Sequence, residues 1–151
     1  MSISVGEKAP DFTLSNQHGE DFKLSDHLGK PVALVFYPFS FSGVCTGELC
    51  ELRDNLGIFQ DASVELAAIS VDSKYTQAAF AKAEDYEFQL LADFWPHGEV
   101  SRQYGVFLED KGFSNRATFL IDREGLVVAK FVTAPGQARN LAEYREALKL
   151  L

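Results

Sequence analysis

The residues best suited to chemistry lie in one segment, Tyr37-Pro-Phe-Ser-Phe-Ser-Gly-Val-Cys45-Thr-Gly-Glu-Leu-Cys50. Cys45 follows the apolar run Val32–Tyr37 and stands where an amphipathic helical pattern begins. A helix N-terminus carries partial positive charge and unpaired N–H groups. Both favour thiolate over thiol and draw a cysteine pKa below its unperturbed value of about 8.5. The thiolate is the nucleophile, and the same N–H groups can hold an anionic or peroxide oxygen. A buried cysteine more commonly acts as a small hydrophobe. Its place at a strand-to-helix turn, after a Pro–x–x–x–Ser lead-in, favours the reactive reading. Pro38 stops the strand and offers no N–H, so it can also form a pocket floor. Ser42 suits a helix N-cap, and its hydroxyl could equally bond a bound oxygen substrate. Spacing does not choose between the two.

The surrounding pattern supplies the frame. Phe12-Thr-Leu and Phe22-Lys-Leu alternate around Asn16–Gly19, as in a hairpin. Val32–Tyr37 and Val64–Val71 read as buried strands. In Gly43–Phe59, the residues Leu49, Leu52, Leu56 and Phe59 repeat at helical spacing. Tyr75–Tyr86 reads as a helix, Phe88–Leu91 as a short strand and Glu99–Tyr104 as a short helix closed by Gly105. Thr118–Ile121 and Val127–Val132 are strands joined by Asp122–Gly125, and Arg139–Leu150 is a final amphipathic helix. This order predicts an α/β fold of thioredoxin-like type: one domain over residues 1–151, a mixed central sheet, helices on both faces and an N-terminal hairpin. If Thr118–Ile121 runs antiparallel to Val32–Tyr37, Arg116 stands at the sheet edge beside Cys45.

Composition narrows the function classes. Of 151 residues, 46% are hydrophobic and 24% charged, which excludes disorder as the main state. A net charge of −8 disfavours nucleic acid and anionic membrane partners. Two cysteines are too few for a disulfide scaffold. The opening MSISVGEKAP has no secretory or transit pattern, and Val32–Phe39 is far short of the roughly 20 residues that span a bilayer. The expectation is a soluble, cytoplasmic protein, a compartment in which a close cysteine pair is more often reactive than structural. His18, His27 and His97 lack ligand spacing, so no metal or other cofactor is expected. No C-x-x-C occurs, which disfavours a thioredoxin-type dithiol reductase.

Pro38-x-x-x-Ser42-x-x-Cys45 resembles the Pro–x–x–x–Thr/Ser–x–x–Cys motif of the peroxiredoxins, which reduce peroxides with a peroxidatic cysteine. Ala9-Pro-Asp-Phe-Thr-Leu14 resembles the family's N-terminal signature, and Asn115-Arg-Ala-Thr-Phe-Leu-Ile-Asp122 resembles its arginine-bearing segment. Asp93-Phe-Trp-Pro-His-Gly98 and Tyr104-Gly-Val-Phe107 are similar to the alkyl hydroperoxide reductase E group, usually called one-cysteine. The resemblance implies that Cys45 is peroxidatic, with Arg116, Ser42, Pro38 and the backbone N–H groups of Val44 and Cys45 around the peroxide. It implies hydrogen peroxide or an organic hydroperoxide as substrate. The reductant would be thioredoxin, a glutaredoxin-like protein or a low-molecular-weight thiol. The family further implies a homodimer built through loops bordering the site; Phe39, Phe41, Phe94, Trp95, Phe107 and Phe113 fall in predicted loops, although most aromatics are core. A peroxide-responsive redox sensor or binding module without efficient turnover is the alternative reading.

Cys50 departs from the one-cysteine pattern. Its spacing from Cys45 resembles the bacterioferritin-comigratory-protein group, in which the second cysteine resolves the sulfenic acid into a disulfide. Five residues of helix advance about 7.5 Å and rotate the two positions about 140° apart. Disulfide Cα atoms lie within roughly 7 Å, so a bond requires the first turns to unwind. Gly43 and Gly47 lower helix propensity there. Cys50 could otherwise be a packing residue beside Leu49. Glu48, read as a first-turn residue, is expected to complement the helix dipole, and the family resemblance allows it a proton-handling role.

Overall fold

The computed structural model describes residues 3–151, apart from the side chain of Cys45. In chain order the elements are β1 (Thr13–Ser15), β2 (Asp21–Lys23), a 3-10 turn at Leu24–His27, β3 (Val32–Phe36), α1 (Gly43–Asp54) and α2 (Gly57–Asp61). There follow β4 (Glu65–Ser70), α3 (Lys74–Glu84), β5 (Gln89–Ala92), α4 (Glu99–Gln103), β6 (Phe107–Leu108), β7 (Phe113–Ser114), β8 (Arg116–Ile121), β9 (Val127–Thr133) and α5 (Leu141–Leu148).

The main sheet has the order β5-β4-β3-β8-β9. β3, buried along its whole length, is its centre. β4 lies parallel to β3 and β5 parallel to β4, while β8 runs antiparallel to both β3 and β9. Alternate β3 residues feed two cores, as the two-residue period of a strand requires. Ala33 and Val35 pack with Leu49 and Leu52 of α1, Phe59 of α2, Phe80 of α3 and Tyr144 of α5. Val32, Leu34 and Phe36 pack with Phe12, Leu14 and Phe22 at the hairpin and with Val100 of α4. Helices therefore occupy both faces, unevenly: the hairpin does most of the covering on the second. Its turn is stitched to β5, where the Gln17 amide donates to Phe88 O at 3.0 Å and accepts from the Leu90 N–H at 2.9 Å. The edge strand is thereby covered rather than left as a pairing template.

Four details differ from the sequence pattern. The expected helical run to Phe59 breaks at Asn55, whose side chain donates to Glu51 O at 2.9 Å and competes with the helical ladder just before the weak helix former Gly57. The last helix begins at Leu141, because Asn140 caps it by accepting from the Ala142 N–H at 2.8 Å; Arg139 is left outside. Phe107 and Phe113 sit in a small β6–β7 hairpin rather than in loops. Phe39, Phe41, Phe94 and Trp95 are exposed rather than core.

α1 is fixed to the sheet by Leu49 and Leu52, both fully buried. Leu49→Ala is expected to cost about 2–5 kcal/mol in equilibrium urea unfolding. A loss below about 1 kcal/mol would show that α1 does not depend on this anchor.

Candidate active site

The connection from β3 to α1 is built residue by residue. The Tyr37 N–H makes a last sheet bond, to Ile69 O at 2.9 Å, and buried Pro38 then ends the strand, having no N–H. The Tyr37 hydroxyl meets Ser40 Oγ at 3.0 Å. The Ser40 N–H donates to Asp72 Oδ2 at 2.7 Å, and the Ser70 hydroxyl donates to the same oxygen at 2.7 Å. Phe41 adopts a left-handed φ of 68°, a conformation that strains a non-glycine residue by roughly 1–3 kcal/mol. Its ring is held 4.9 Å from that of Phe80. This reversal delivers Ser42 to the N-cap position of α1. The Ser42 hydroxyl caps no helix N–H; it donates to Phe39 O at 3.2 Å. The Thr46 N–H bonds Ser42 O at 2.8 Å, so Cys45 belongs to the first turn of α1. The predicted nucleophile thus has its backbone at a helix N-terminus, while its side chain lies outside the described atoms.

Glu48 is not a first-turn residue; α1 has no acidic residue in its first turn. It is the sixth residue of α1, one turn beyond Cys45 on the same side, and its side chain is only 2% exposed. Its carboxylate joins two buried arginines. Oε1 accepts from Arg116 Nη1 at 3.2 Å and from Arg139 Nη2. Oε2 accepts from Arg139 Nε at 2.9 Å and from the Arg139 backbone N–H at 2.6 Å. Burial opposes ionisation of Glu48, but the hydrogen bonds and charge of Arg139, with the charge of Arg116, outweigh it and hold its pKa below the ordinary glutamate value. Two guanidiniums against one carboxylate leave the cluster with a net charge of plus one.

Arg116 opens β8, next to Ala117, the register partner of Phe36 at the end of β3. The antiparallel pairing expected from sequence therefore carries Arg116 to the sheet edge from which α1 departs. Its Nε donates to Pro135 O at 2.7 Å, tying in the chain between β9 and α5. Arg139, which sequence reasoning assigned only to a helix, is a member of this site. Its Nη1 donates to Thr118 Oγ1 at 3.3 Å, and that oxygen also pairs with the Tyr144 hydroxyl at 2.9 Å. A buried glutamate has more acceptor capacity than one arginine fills, and that surplus is the signal that could have prompted a search for a second cation.

The other predicted residues separate by position. Cys50 is partly buried on a different side of α1, with Sγ 3.3 Å from the Tyr86 hydroxyl and 3.4 Å from Glu84 Oε2. Phe39, Phe41 and Val44, exposed by 40%, 54% and 39%, form an apolar rim around the start of α1. Among the described residues no cluster of three His, Cys, Asp or Glu side chains could hold a metal ion. No helix of the described chain is long and apolar enough to cross a membrane.

A mixed sheet that delivers a cysteine to a helix N-terminus beside buried arginines is the architecture of a thiol peroxidase. The chain belongs to the AhpC/TSA family, whose model matches residues 5–130. It is 43% identical over 150 residues to alkyl hydroperoxide reductase E of Mycobacterium tuberculosis, covering 99% of this chain and 98% of that protein. It is 34% identical over 137 residues to peroxiredoxin Bcp of Bacillus subtilis, covering 87% and 86% of the two chains. The crystal structure of Enterococcus faecalis AhpC matches with a TM-score of 0.90 and 29% identity over 99% of this chain and 92% of that one. The chain is accordingly a peroxiredoxin, a thiol-dependent peroxidase with a thioredoxin-like fold.

Because the folded pKa of Glu48 is depressed, its stabilisation is complete above the unfolded value of about 4.3 and is lost as pH falls from there through the folded value. Wild-type unfolding free energy should therefore drop as pH is lowered beneath about 4.3. Glu48→Gln should flatten that part of the curve and cost about 3–5 kcal/mol at neutral pH by leaving two buried guanidiniums short of a counter-charge. An unchanged acid slope in urea titrations would contradict the assignment.

Proposed function

We propose that Cys45 is the peroxidatic residue and that the Glu48-bound arginine pair prepares it. The observation that carries this reading is a first-turn cysteine one helical turn from a buried cluster of net positive charge. The helix N-terminus and Arg116 favour the thiolate at rest. Sulfur attacks one peroxide oxygen in line. An S–O bond forms, the O–O bond breaks, and the other oxygen departs as hydroxide or alkoxide, taking a proton to become water or alcohol. Cys45 is left as a sulfenic acid. Negative charge moves from sulfur to the departing oxygen along this path. Arg116 and the N–H groups of Val44 and Cys45 stabilise it without reorganising, Ser42 joins them once its hydroxyl turns from Phe39 O to the bound oxygen, and Pro38 closes the floor. Arginine suits the role because it stays charged and presents fixed donors. All four contacts of the Glu48 carboxylate are made by arginine donors, which supports an anchoring role for Glu48 over proton transfer.

Hydrogen peroxide and organic hydroperoxides are both substrates in this reading. The name of the alkyl hydroperoxide reductase E relative and the apolar rim of Phe39, Phe41 and Val44 support an alkyl hydroperoxide among them. Cys50 resolves the intermediate: its sulfur attacks the sulfenic sulfur, an S–S bond forms, the S–O bond breaks and water leaves. α1 is helical without interruption from Gly43 to Asp54, so this step requires its first turns to open. Two electrons from thioredoxin, a glutaredoxin-like protein or a low-molecular-weight thiol then restore both cysteines, as fits a cytoplasmic location. The exposed Phe39, Phe41, Phe94 and Trp95 suit a homodimer interface bordering the site.

Cys45→Ser is expected to abolish peroxide consumption by the reduced protein. Arg116→Met should lower the second-order rate by about 10²–10³-fold in stopped flow. Full activity in the Cys45 variant, or a loss below threefold in the Arg116 variant, would overturn these roles.

A further inference from the structure

The contacts of Cys50 bear on how fast α1 can open. Tyr86, 6% exposed, lies just beyond α3 and faces the middle of α1. Its hydroxyl donates to Thr46 O at 3.3 Å and stands 3.3 Å from Cys50 Sγ. In a regular helix Thr46 O also accepts the N–H of residue 50, so a single tyrosine reinforces the rung that closes the turn containing both Gly47 and Cys50. The Cys50 thiol donates to Glu84 Oε2 at 3.4 Å, and Arg53 Nη1 donates to Glu84 O at 2.7 Å. Three positions of α1, Thr46, Cys50 and Arg53, are thereby tied to the C-terminal end of α3. Burial above all pushes the Tyr86 phenol upward, so it stays protonated and remains a donor.

We infer that Tyr86 is a positioning residue that keeps α1 wound through Thr46 and Cys50, and so sets the rate at which the helix opens to bring Cys50 to the oxidised Cys45. The inference rests on the resolving role proposed for Cys50. Gly47 is the counterweight. A Cβ at Gly47 would meet nothing within 4 Å, so alanine enters without a clash and acts through helix propensity alone. The two residues therefore move one equilibrium in opposite directions. Tyr86→Phe removes the hydroxyl while keeping the ring packed on Phe80 and Phe88 at centroid distances of 5.1 and 5.0 Å. Neither residue is in the peroxide-reducing machinery, so sulfenic acid formation should proceed at the wild-type rate in both variants.

The test combines amide hydrogen exchange on the reduced protein with time-resolved intact mass after one equivalent of hydrogen peroxide. Tyr86→Phe should speed exchange at residues 48–50 by about two- to tenfold, the range of one net hydrogen bond, and speed disulfide formation, seen as loss of two mass units, by a similar factor. Gly47→Ala should slow both by about fivefold. A general loss of packing would not leave the first step untouched or answer to Gly47 with the opposite sign. Unchanged exchange in Tyr86→Phe would overturn the latch while leaving the role of Cys50 intact. Exchange that shifts as expected in proteins that only gain sixteen mass units would instead overturn the resolving role of Cys50, and the inference with it.

Discussion

The carboxylate of Glu48 is the joint on which the site depends. It belongs to α1, its partners to β8 and to the segment before α5, and no two of these are neighbours in sequence. Removing three charges from water is costly, and attraction between them offsets that cost only when the geometry is good and every remaining donor or acceptor is satisfied. Here Arg116 also bonds Pro135 O and Arg139 also bonds Thr118. The cluster fixes α1 in rotation and depth over the sheet, and its two guanidiniums share the one carboxylate of Glu48. The cluster lies one helical turn from Cys45, where the proposed thiolate would draw on its positive charge.

The rest of the fold serves this placement. The buried centre strand β3 ends at Pro38, the Asp72 carboxylate grips the Ser40 N–H, and strained Phe41 turns the chain so that α1 begins beside the sheet edge. The apolar face of α1 fastens it through Leu49 and Leu52. The same helix must also be able to open if Cys50 is to reach Cys45. Gly43 and Gly47 weaken its first turns, whereas Glu48, Tyr86 and Arg53 hold the turns that follow. In the proposed mechanism, adjacent residues of one helix thus serve both a rigid site for the attack on peroxide and a releasable turn for the step after it.

Much of this was legible in the residues themselves. The two-residue alternation around Asn16–Gly19, the doubly apolar Val32–Tyr37 and the cysteine after Pro38 pointed to the hairpin, the centre strand and the helix start. The antiparallel placement expected of the Thr118–Ile121 strand carries Arg116 to the end of β3 where the structure has it. Arg139 was not legible, because the amphipathic pattern of Arg139–Leu150 accounts for it as an ordinary helix residue, and it becomes buried only when the segment before α5 folds onto Glu48. The break at Asn55 is hidden in the sequence because Leu49, Leu52, Leu56 and Phe59 keep helical spacing across it, while a side chain–backbone bond to Glu51 O competes with the ladder. The aromatics Phe39, Phe41, Phe94 and Trp95 defied the usual preference for burial because they rim a surface rather than fill a core.

The central claim is electrostatic: the sulfur of Cys45 is anionic at neutral pH because a helix N-terminus and the arginine pair stabilise it. Thiolate ultraviolet absorbance, titrated in a Cys50→Ser background so that one thiol is read, tests this directly. The account predicts a midpoint well below the ordinary thiol value of about 8.5, moving back toward it when Arg116 is replaced by methionine. A midpoint at or above about 8.5 in the parent protein, unmoved by loss of the arginine, would contradict it.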